Sequence, residues 1–153
     1  MAATIEFPYS KNSALLGVGV PIIFLLITFS NLRSAYIAGA TVSYSVIAFA
    51  DLVFITQMLY VFITRLIPAL KNEVALELND KGIEDFIRKI EIEWTDIKAI
   101  NWEAGRNSSK LVIDLKHETD YGTQIAISLR WLKGKDREIC ETIIARFEEM
   151  KVV

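Results

Sequence analysis

Residues 13–30 read SALLGVGVPIIFLLITFS, and this run decides how the rest of the chain is organised. It lies within 21 consecutive uncharged residues between Lys11 and Arg33. A helix of about 20 apolar residues crosses the hydrocarbon core of a bilayer, and an interior proline such as Pro21 is tolerated there. The run therefore predicts a membrane-spanning helix. A cleaved signal peptide is the alternative, but its apolar region is shorter, at about 7–15 residues.

A second apolar run follows Arg33 and continues for 31 residues to Arg65, interrupted by a single charge at Asp51. Counting back about 20 residues from Arg65 places the second span at residues 44–64. Residues 33–43 then form a short connection, unless the second helix begins earlier and is tilted. The first half of the chain thus predicts a hairpin of two membrane helices.

Positive residues beside the two runs predict the orientation of the hairpin. Two spans bring both ends of the chain to one side of the membrane. Lys11, Arg65 and Lys71 flank that side, and Arg33 alone lies in the connection. Because Lys and Arg are enriched on the cytoplasmic side of a membrane, we predict that both termini are cytoplasmic.

Beyond Lys71 the chain is rich in charge, and short alternating patterns predict about six antiparallel strands. The turn at residues 79–82 predicts a hairpin in which Gly82 supplies a positive φ. The apolar members of the alternating patterns are Val74, Leu76, Leu78, Ile90, Ile92, Leu111, Ile113, Leu115, Ile125, Ile127 and Leu129.

A helix is predicted to close the chain, because Ile139, Ile143 and Phe147 recur at helical spacing with charges on the opposite face. Strands followed by one helix predict an α+β domain, either a small antiparallel β-barrel or a curled sheet capped by that helix. We therefore assign residues 1–72 to a transmembrane hairpin and residues 73–153 to a soluble β domain, which we expect to fold by itself.

Three short motifs, together with the two spans, resemble a known group of proteins. They are the Ser10-Lys11 pair before the first helix, the Asp80-Lys81-Gly82-Ile83 turn and the Trp94-Thr95-Asp96-Ile97 bend. This layout resembles bacterial membrane-anchored pleckstrin-homology-like proteins, and more narrowly a family of small, uncharacterised two-span membrane proteins. The resemblance implies a bacterial inner-membrane location, a partial or complete β-barrel with a C-terminal helix cap, and no catalytic residues. The full pleckstrin-homology fold has seven strands, one more than the sequence indicates here.

Residues that could perform chemistry are sparse. His117 and Cys140 are the one histidine and the one cysteine of the chain, so neither has a partner of its own kind. Glu91 and Glu93 share a strand face, which we interpret as an exposed acidic surface. We therefore predict no catalytic residues, no metal site, no cofactor and no enzyme. The net charge of −2 and the interspersed signs also give no indication of nucleic-acid binding.

Asp51, Trp94 and Asp96 are the candidate binding residues. Trp94 and Asp96 form either a ligand-contacting patch or, as we favour, a core tryptophan beside an aspartate that caps the bend through its side chain. A carboxylate at the centre of a span costs about 2.5–3.5 kcal/mol and usually marks a partner, a relay or a cavity. Asp51 is alternatively interfacial or protonated. Thr28, Ser30 or a second copy of the chain could bond to it.

Three functions follow from this organisation. We favour a non-enzymatic membrane protein whose cytoplasmic domain binds or scaffolds a partner protein at the membrane. The second hypothesis is an immunity protein that neutralises a membrane-inserting or pore-forming toxin through its helices. The third is a small transport subunit that uses Asp51. The expected partners are thus the lipid bilayer, a protein (scaffold target or toxin) and a second copy of the chain.

Overall fold

The computed structural model describes residues 4–39, 41–105, 109–119 and 121–151. The chain divides into two compact units: a helical unit, Lys11–Lys71, and a β unit composed of Met1–Ser10 and Asn72–Val153. The first ten residues group with the C-terminal strands. This differs from the boundaries drawn from the sequence, which leave those residues with the hairpin.

Two long apolar helices make up most of the helical unit. They are α1, Lys11–Ile37, and α2, Thr41–Val61. The connection between them is shorter than the expected residues 33–43, because each helix extends into that range. Gly39 lies at its centre with a φ of 69°. Its N–H donates to the Tyr36 carbonyl at 3.1 Å, as glycines in the left-handed conformation commonly do after the end of a helix.

The second helix does not stop at Arg65. It continues through a π-helical turn, Phe62–Leu66, into a short helix, α3, Ile67–Leu70. The N–H of Ile67 donates to the Phe62 carbonyl, five residues earlier. Pro68 follows directly, and a proline both lacks an N–H and crowds the carbonyl four residues before it. The wider turn accommodates that proline without ending the helix.

Two antiparallel sheets form the β unit, and the first contains four strands. Its order is β1, Ile5–Pro8; β2, Val74–Leu78; β3, Gly82–Asp85; and β4, Ile90–Glu93. The chain leaves this sheet after β1, forms the whole helical unit and returns as the neighbouring strand. In the register between them, Ile5 lies opposite Leu78 and Phe7 opposite Leu76.

The second sheet contains three strands in sequence order: β5, Ile97–Glu103; β6, Lys110–Thr119; and β7, Gly122–Ser128. Helix α4, Asp136–Lys151, follows. The apolar stripe predicted for this helix is confirmed, since Ile139, Ile143 and Phe147 are buried. Alternating side chains of β6 and β7 are buried with them, whereas in β2 the adjacent Ala75 and Leu76 are both buried, as is Leu78.

The α+β class is confirmed, but the strand count and the barrel are not. The described residues contain seven strands in two sheets and no closed barrel. The seventh strand is β1, which precedes the first helix. It was missed because a four-residue segment with half-buried Ile5 and Phe7 has too short a pattern to distinguish a strand from a leader.

The role of Gly82 also differs from the expectation. Gly82 does not have a positive φ. It lies within β3, opposite Glu93. A Cβ placed on it would be 1.9 Å from the Ile92 carbonyl oxygen, so the strands can approach only because no side chain is there. The turn itself is held by Asn79, whose side-chain oxygen accepts the N–H groups of Lys81 and Gly82 at 2.9 Å each.

Candidate functional site

Trp94 connects three parts of the β unit. It begins a 3-10 turn, Trp94–Asp96, between β4 and β5, and its side chain is buried. Its indole Nε1 donates to the Asn79 carbonyl at 2.9 Å, and its backbone N–H donates to the Lys81 carbonyl at 3.0 Å. Its ring centroid lies 6.5 Å from that of Phe147 in α4. The tryptophan therefore ties the turn to both the β2–β3 hairpin and the terminal helix.

A groove lies where these three parts meet. Its volume is about 490 Å³, within the range of about 300–1,000 Å³ found for ligand sites. Its apolar surface comes from Trp94, Ile97, Phe147 and Met150. We call this feature the Trp94 groove. Its walls come from the 3-10 turn, the two sheets and α4, so no single segment of the sequence encodes it.

Positive charge dominates the Trp94 groove. Its lining includes Lys81, Lys98, Lys116 and Lys151, against the two carboxylates of Asp80 and Glu93. The excess favours an acidic ligand, because a cleft lined by one sign of charge concentrates ligands of the other sign.

Both carboxylates of the groove already have donors. The guanidinium of Arg146 is 3.4 Å from Asp80, and the Thr95 hydroxyl donates to Glu93 at 3.2 Å. The ammonium of Lys116 donates to the Thr95 carbonyl at 2.7 Å, which fixes one cation at the mouth of the turn. The groove therefore presents an excess of positive charge, of which Lys116 is held in place, beside the rings of Trp94 and Phe147.

Asp96 does not take the role expected for it. Its side chain is exposed, and within the described residues its carboxylate accepts no hydrogen bond. The turn is closed instead by the backbone, through the N–H of Ile97 and the carbonyl of Trp94. Asp96 is also not among the residues that line the Trp94 groove. Of the two candidates in this motif, the structure brings only Trp94 to the groove.

Asp51 belongs to the helical unit and joins its two helices. The hydroxyl of Thr28 in α1 donates to the Asp51 carboxylate in α2, which confirms one of the partners expected from the sequence. Phe24 and Phe54 stack nearby in the same pair of helices, with ring centroids 5.6 Å apart. Asp51 also borders a depression of about 340 Å³ whose other lining residues are all apolar. Its position is therefore explained in part by a contact inside the hairpin.

The remaining reactive residues lie apart from one another. Cys140 is buried in α4, and burial, with the charges of Asp136 and Glu141, raises the pKa of its thiol to about 11. A thiol with that pKa is a poor nucleophile near neutral pH. His117 is exposed within β6. Across the described ranges, no three His, Cys, Asp or Glu side chains are grouped to hold a metal.

The sequence did not predict that four lysines meet in the Trp94 groove. Lys98 and Lys116 lie on paired strands near a register shift, and Lys151 comes from the end of α4. The pairing of β5 with β6 could have indicated that Lys98 and Lys116 are close, because residues on adjacent antiparallel strands lie beside each other. Finding it required the register, which the alternating pattern alone does not specify.

Comparisons of this chain with protein-family models, with curated proteins and with solved structures found no match. Its function is therefore inferred without a family assignment. The Trp94 groove and the two apolar helices are the features from which a function can be inferred.

Proposed function

We propose that this chain is a membrane-anchored binding protein whose β unit holds an acidic segment of a partner protein in the Trp94 groove. The observation that carries the proposal is the groove itself, in which lysines outnumber carboxylates above an aromatic floor. Tryptophan is among the residue types enriched in the parts of protein interfaces that contribute most to binding, and the lysines add charge complementarity to an acidic partner. The protein is a scaffold and not an enzyme in this proposal.

The two long helices support the membrane anchor. The stretches Lys11–Ser34 and Tyr44–Leu70 have mean hydropathies of 2.2 and 2.1. In the core of a soluble protein such helices would be mostly buried. Here, of the 18 consecutive residues that give each helix its hydropathy, 17% are buried in the first helix and none in the second. A signal sequence would account for only one of the two. A lipid environment accounts for both, because it removes the cost of exposing apolar side chains.

The arrangement of the β unit supports a pleckstrin-homology-like fold. Sheets of four and three antiparallel strands are followed by one terminal helix. With β1 included, the described residues contain seven strands, the number in the full pleckstrin-homology fold. The same resemblance, with the charge bias of Lys11 and Lys71, supports a place in the bacterial inner membrane with both termini cytoplasmic.

The pairing of β1 changes which strand a partner could extend. An open edge beside the early strands would invite a partner to add a strand of its own. In the β unit, β1 occupies the edge of β2 and becomes the outer strand of that sheet itself. The proposal places recognition in the side chains of the Trp94 groove, where charge complementarity selects acidic segments.

The immunity and transport hypotheses depend on Asp51 and receive less support. The hydrogen bond from Thr28 gives Asp51 a partner inside the hairpin. The depression beside it offers one carboxylate among apolar residues, whereas cations such as calcium take about 6–8 oxygen ligands. Neither a toxin nor an ion is needed to explain the retention of this carboxylate.

Photocrosslinking in native membranes tests the proposal. A photoreactive residue is placed at Lys98 in the groove of the full chain, and at Lys110 as the control, since both are exposed lysines of the same unit but only Lys98 lines the groove. Mass spectrometry then identifies the captured peptide. We expect capture of an acidic segment from position 98 and not from position 110.

Charge reversal completes the test. Lys81→Glu together with Lys98→Glu should abolish that capture, whereas Lys110→Glu should preserve it. Capture of a neutral or basic segment, or capture that survives reversal of the groove, would refute the role of the groove. A toxin recovered through the helices, regardless of these changes, would favour immunity instead.

A further inference from the structure

The segment that links β7 to α4 is strongly basic. Residues 130–135 read RWLKGK, with three cationic side chains and no carboxylate. Arg130, Lys133 and Lys135 are all exposed, and Leu132 beneath them is buried. We call residues 130–135 the basic loop. The loop presents its charge outward while its one aliphatic side chain holds it against the core.

Backbone hydrogen bonds fix the basic loop to the residues that precede α1. The N–H of Ser10 donates to the Trp131 carbonyl at 2.7 Å, and the N–H of Lys133 donates to the Pro8 carbonyl at 2.8 Å. Tyr9 and Leu132 form an antiparallel bridge between these two bonds. Ser10 is followed immediately by Lys11, the first residue of α1. The loop is thus held one residue from the point where the chain enters its first apolar helix.

The point where the chain returns from the helical unit is fixed to the same segment. The N–H of Tyr9 donates to the carbonyl of Glu73 at 3.2 Å. Only Asn72 separates Glu73 from Lys71, the last residue of the helical unit. Both connections to the apolar helices therefore meet the β unit beside the basic loop.

The side chains of the loop differ in how far their charge is neutralised. The ammonium of Lys135 pairs with the Glu138 carboxylate at 2.9 Å, and this contact raises the pKa of Lys135. The guanidinium of Arg130 lies 5.3 Å from the centre of the half-buried Trp131 ring. Among the described residues, neither Arg130 nor Lys133 has a carboxylate partner. A tryptophan flanked by unneutralised cations is typical of a membrane–water interface.

We propose that the basic loop binds the anionic phospholipid headgroups of the bilayer that α1 and α2 cross. The proposal rests on the membrane anchoring proposed above but is independent of the Trp94 groove. The headgroup region extends roughly 5–8 Å beyond each side of the hydrocarbon core, and consecutive Cα atoms are about 3.8 Å apart. The proposal takes Lys11, the first residue of α1, as the edge of the hydrocarbon core, which puts a loop bonded to Ser10 at the depth of the headgroups. Arg130 and Lys133 supply the charge, and Trp131 supplies an amphipathic ring.

The location of the loop is tested with the full chain in nanodiscs that contain headgroup-nitroxide lipids. A fluorophore is attached at Lys135→Cys, whose charge is already paired, or at Tyr121→Cys as the control. Residue 121 precedes β7, whose six residue steps put it roughly 20 Å from the end of that strand. The native Cys140 can stay, because it is buried and its pKa is about 11. We expect quenching at position 135 and little at position 121.

The preference for anionic lipid is tested in the same particles by electron paramagnetic resonance. The association of spin-labelled phosphatidylglycerol is measured relative to spin-labelled phosphatidylcholine. Arg130→Gln with Lys133→Gln should lower this ratio by about fivefold for each residue at low ionic strength. Lys81→Gln with Lys98→Gln removes the same charge from the Trp94 groove and should leave the ratio unchanged. Circular dichroism verifies that both double variants are folded.

The outcomes separate this proposal from the anchoring on which it rests. Equal quenching at positions 121 and 135, or an equal lipid ratio in the two double variants, would refute headgroup binding by the basic loop. Neither result would contradict the membrane anchoring of the chain. Extraction of the chain from membranes by alkaline carbonate would refute the anchoring, and the loop proposal with it. Selective quenching at 135, with loss of the anionic preference only in the loop variant, would establish the site.

Discussion

Replacing Gly82 by alanine should strongly destabilise the β unit, for a reason visible only in the sheet. An added Cβ would be 1.9 Å from the Ile92 carbonyl oxygen and 2.8 Å from its carbonyl carbon. Ordinary contact requires 3.4 Å or more, so β3 and β4 must separate by about 1.5 Å, the difference between these distances. Because the obstructing atoms belong to the backbone, no side-chain rotation can relieve the clash.

The expected cost follows from the contacts beside that clash. Overpacking in a well-packed interior costs about 1–3 kcal/mol. Two backbone bonds flank the site, from Asn79 to the Gly82 carbonyl and from Trp94 to the Lys81 carbonyl, each 3.0 Å long. Each contributes about 0.5–1.5 kcal/mol. We therefore expect a loss of about 2–6 kcal/mol, which lowers the melting temperature of a domain of this size by about 8 °C or more.

Thermal unfolding of the full chain in detergent, followed by tryptophan fluorescence, measures this loss. Gly122→Ala is the matched control, because Gly122 has a φ of 88° and nothing within 4 Å of an added Cβ. That variant should lose only about 1–2 kcal/mol, the cost of a left-handed alanine. If Gly82→Ala loses no more than the control, close strand approach is not the reason for glycine at this position.

Two further predictions concern strand β1 and the hydrogen bond between Thr28 and Asp51, each of which joins residues that are distant in the sequence. Because β1 pairs with β2, Asn72–Val153 alone should expose that edge and aggregate, which replaces the independent folding expected from the sequence for residues 73–153. The same residues joined to Met1–Ser10 by a glycine-serine linker should be monomeric and unfold cooperatively. Size-exclusion chromatography and thermal melts compare the two, and identical behaviour would contradict the role of β1. Thr28→Val should weaken the helical hairpin by about 0.6–1.7 kcal/mol, whereas Thr28→Ser should not, because only a hydroxyl can donate to Asp51. Steric-trapping measurements give this difference, and an equal effect of both variants would show that the bond contributes nothing.

Asp51 and Trp94 show which side-chain contacts can be predicted from the sequence and which cannot. Thr28 could be named as a partner for Asp51, because a polar group in a span must find another nearby. The burial of Trp94 also followed from its place in an alternating pattern. Its hydrogen bond to Asn79 did not, since that contact joins residues 15 positions apart through a turn of unknown shape. Asp96 was misjudged for the same reason, because a backbone bond closes the turn without it.

The sequence by itself determined the two apolar helices, the terminal helix and most strands of the sheets. Each depends on a local property: a charge-free run of sufficient length, or an apolar period of 3.6 or 2 residues. Only the tertiary structure decided that β1 completes the first sheet, that Gly82 is required by a neighbouring carbonyl, and that lysines from four segments line one groove. These features depend on contacts between residues distant in the chain. A local period defines which face of an element is buried, but it does not specify which other element covers that face.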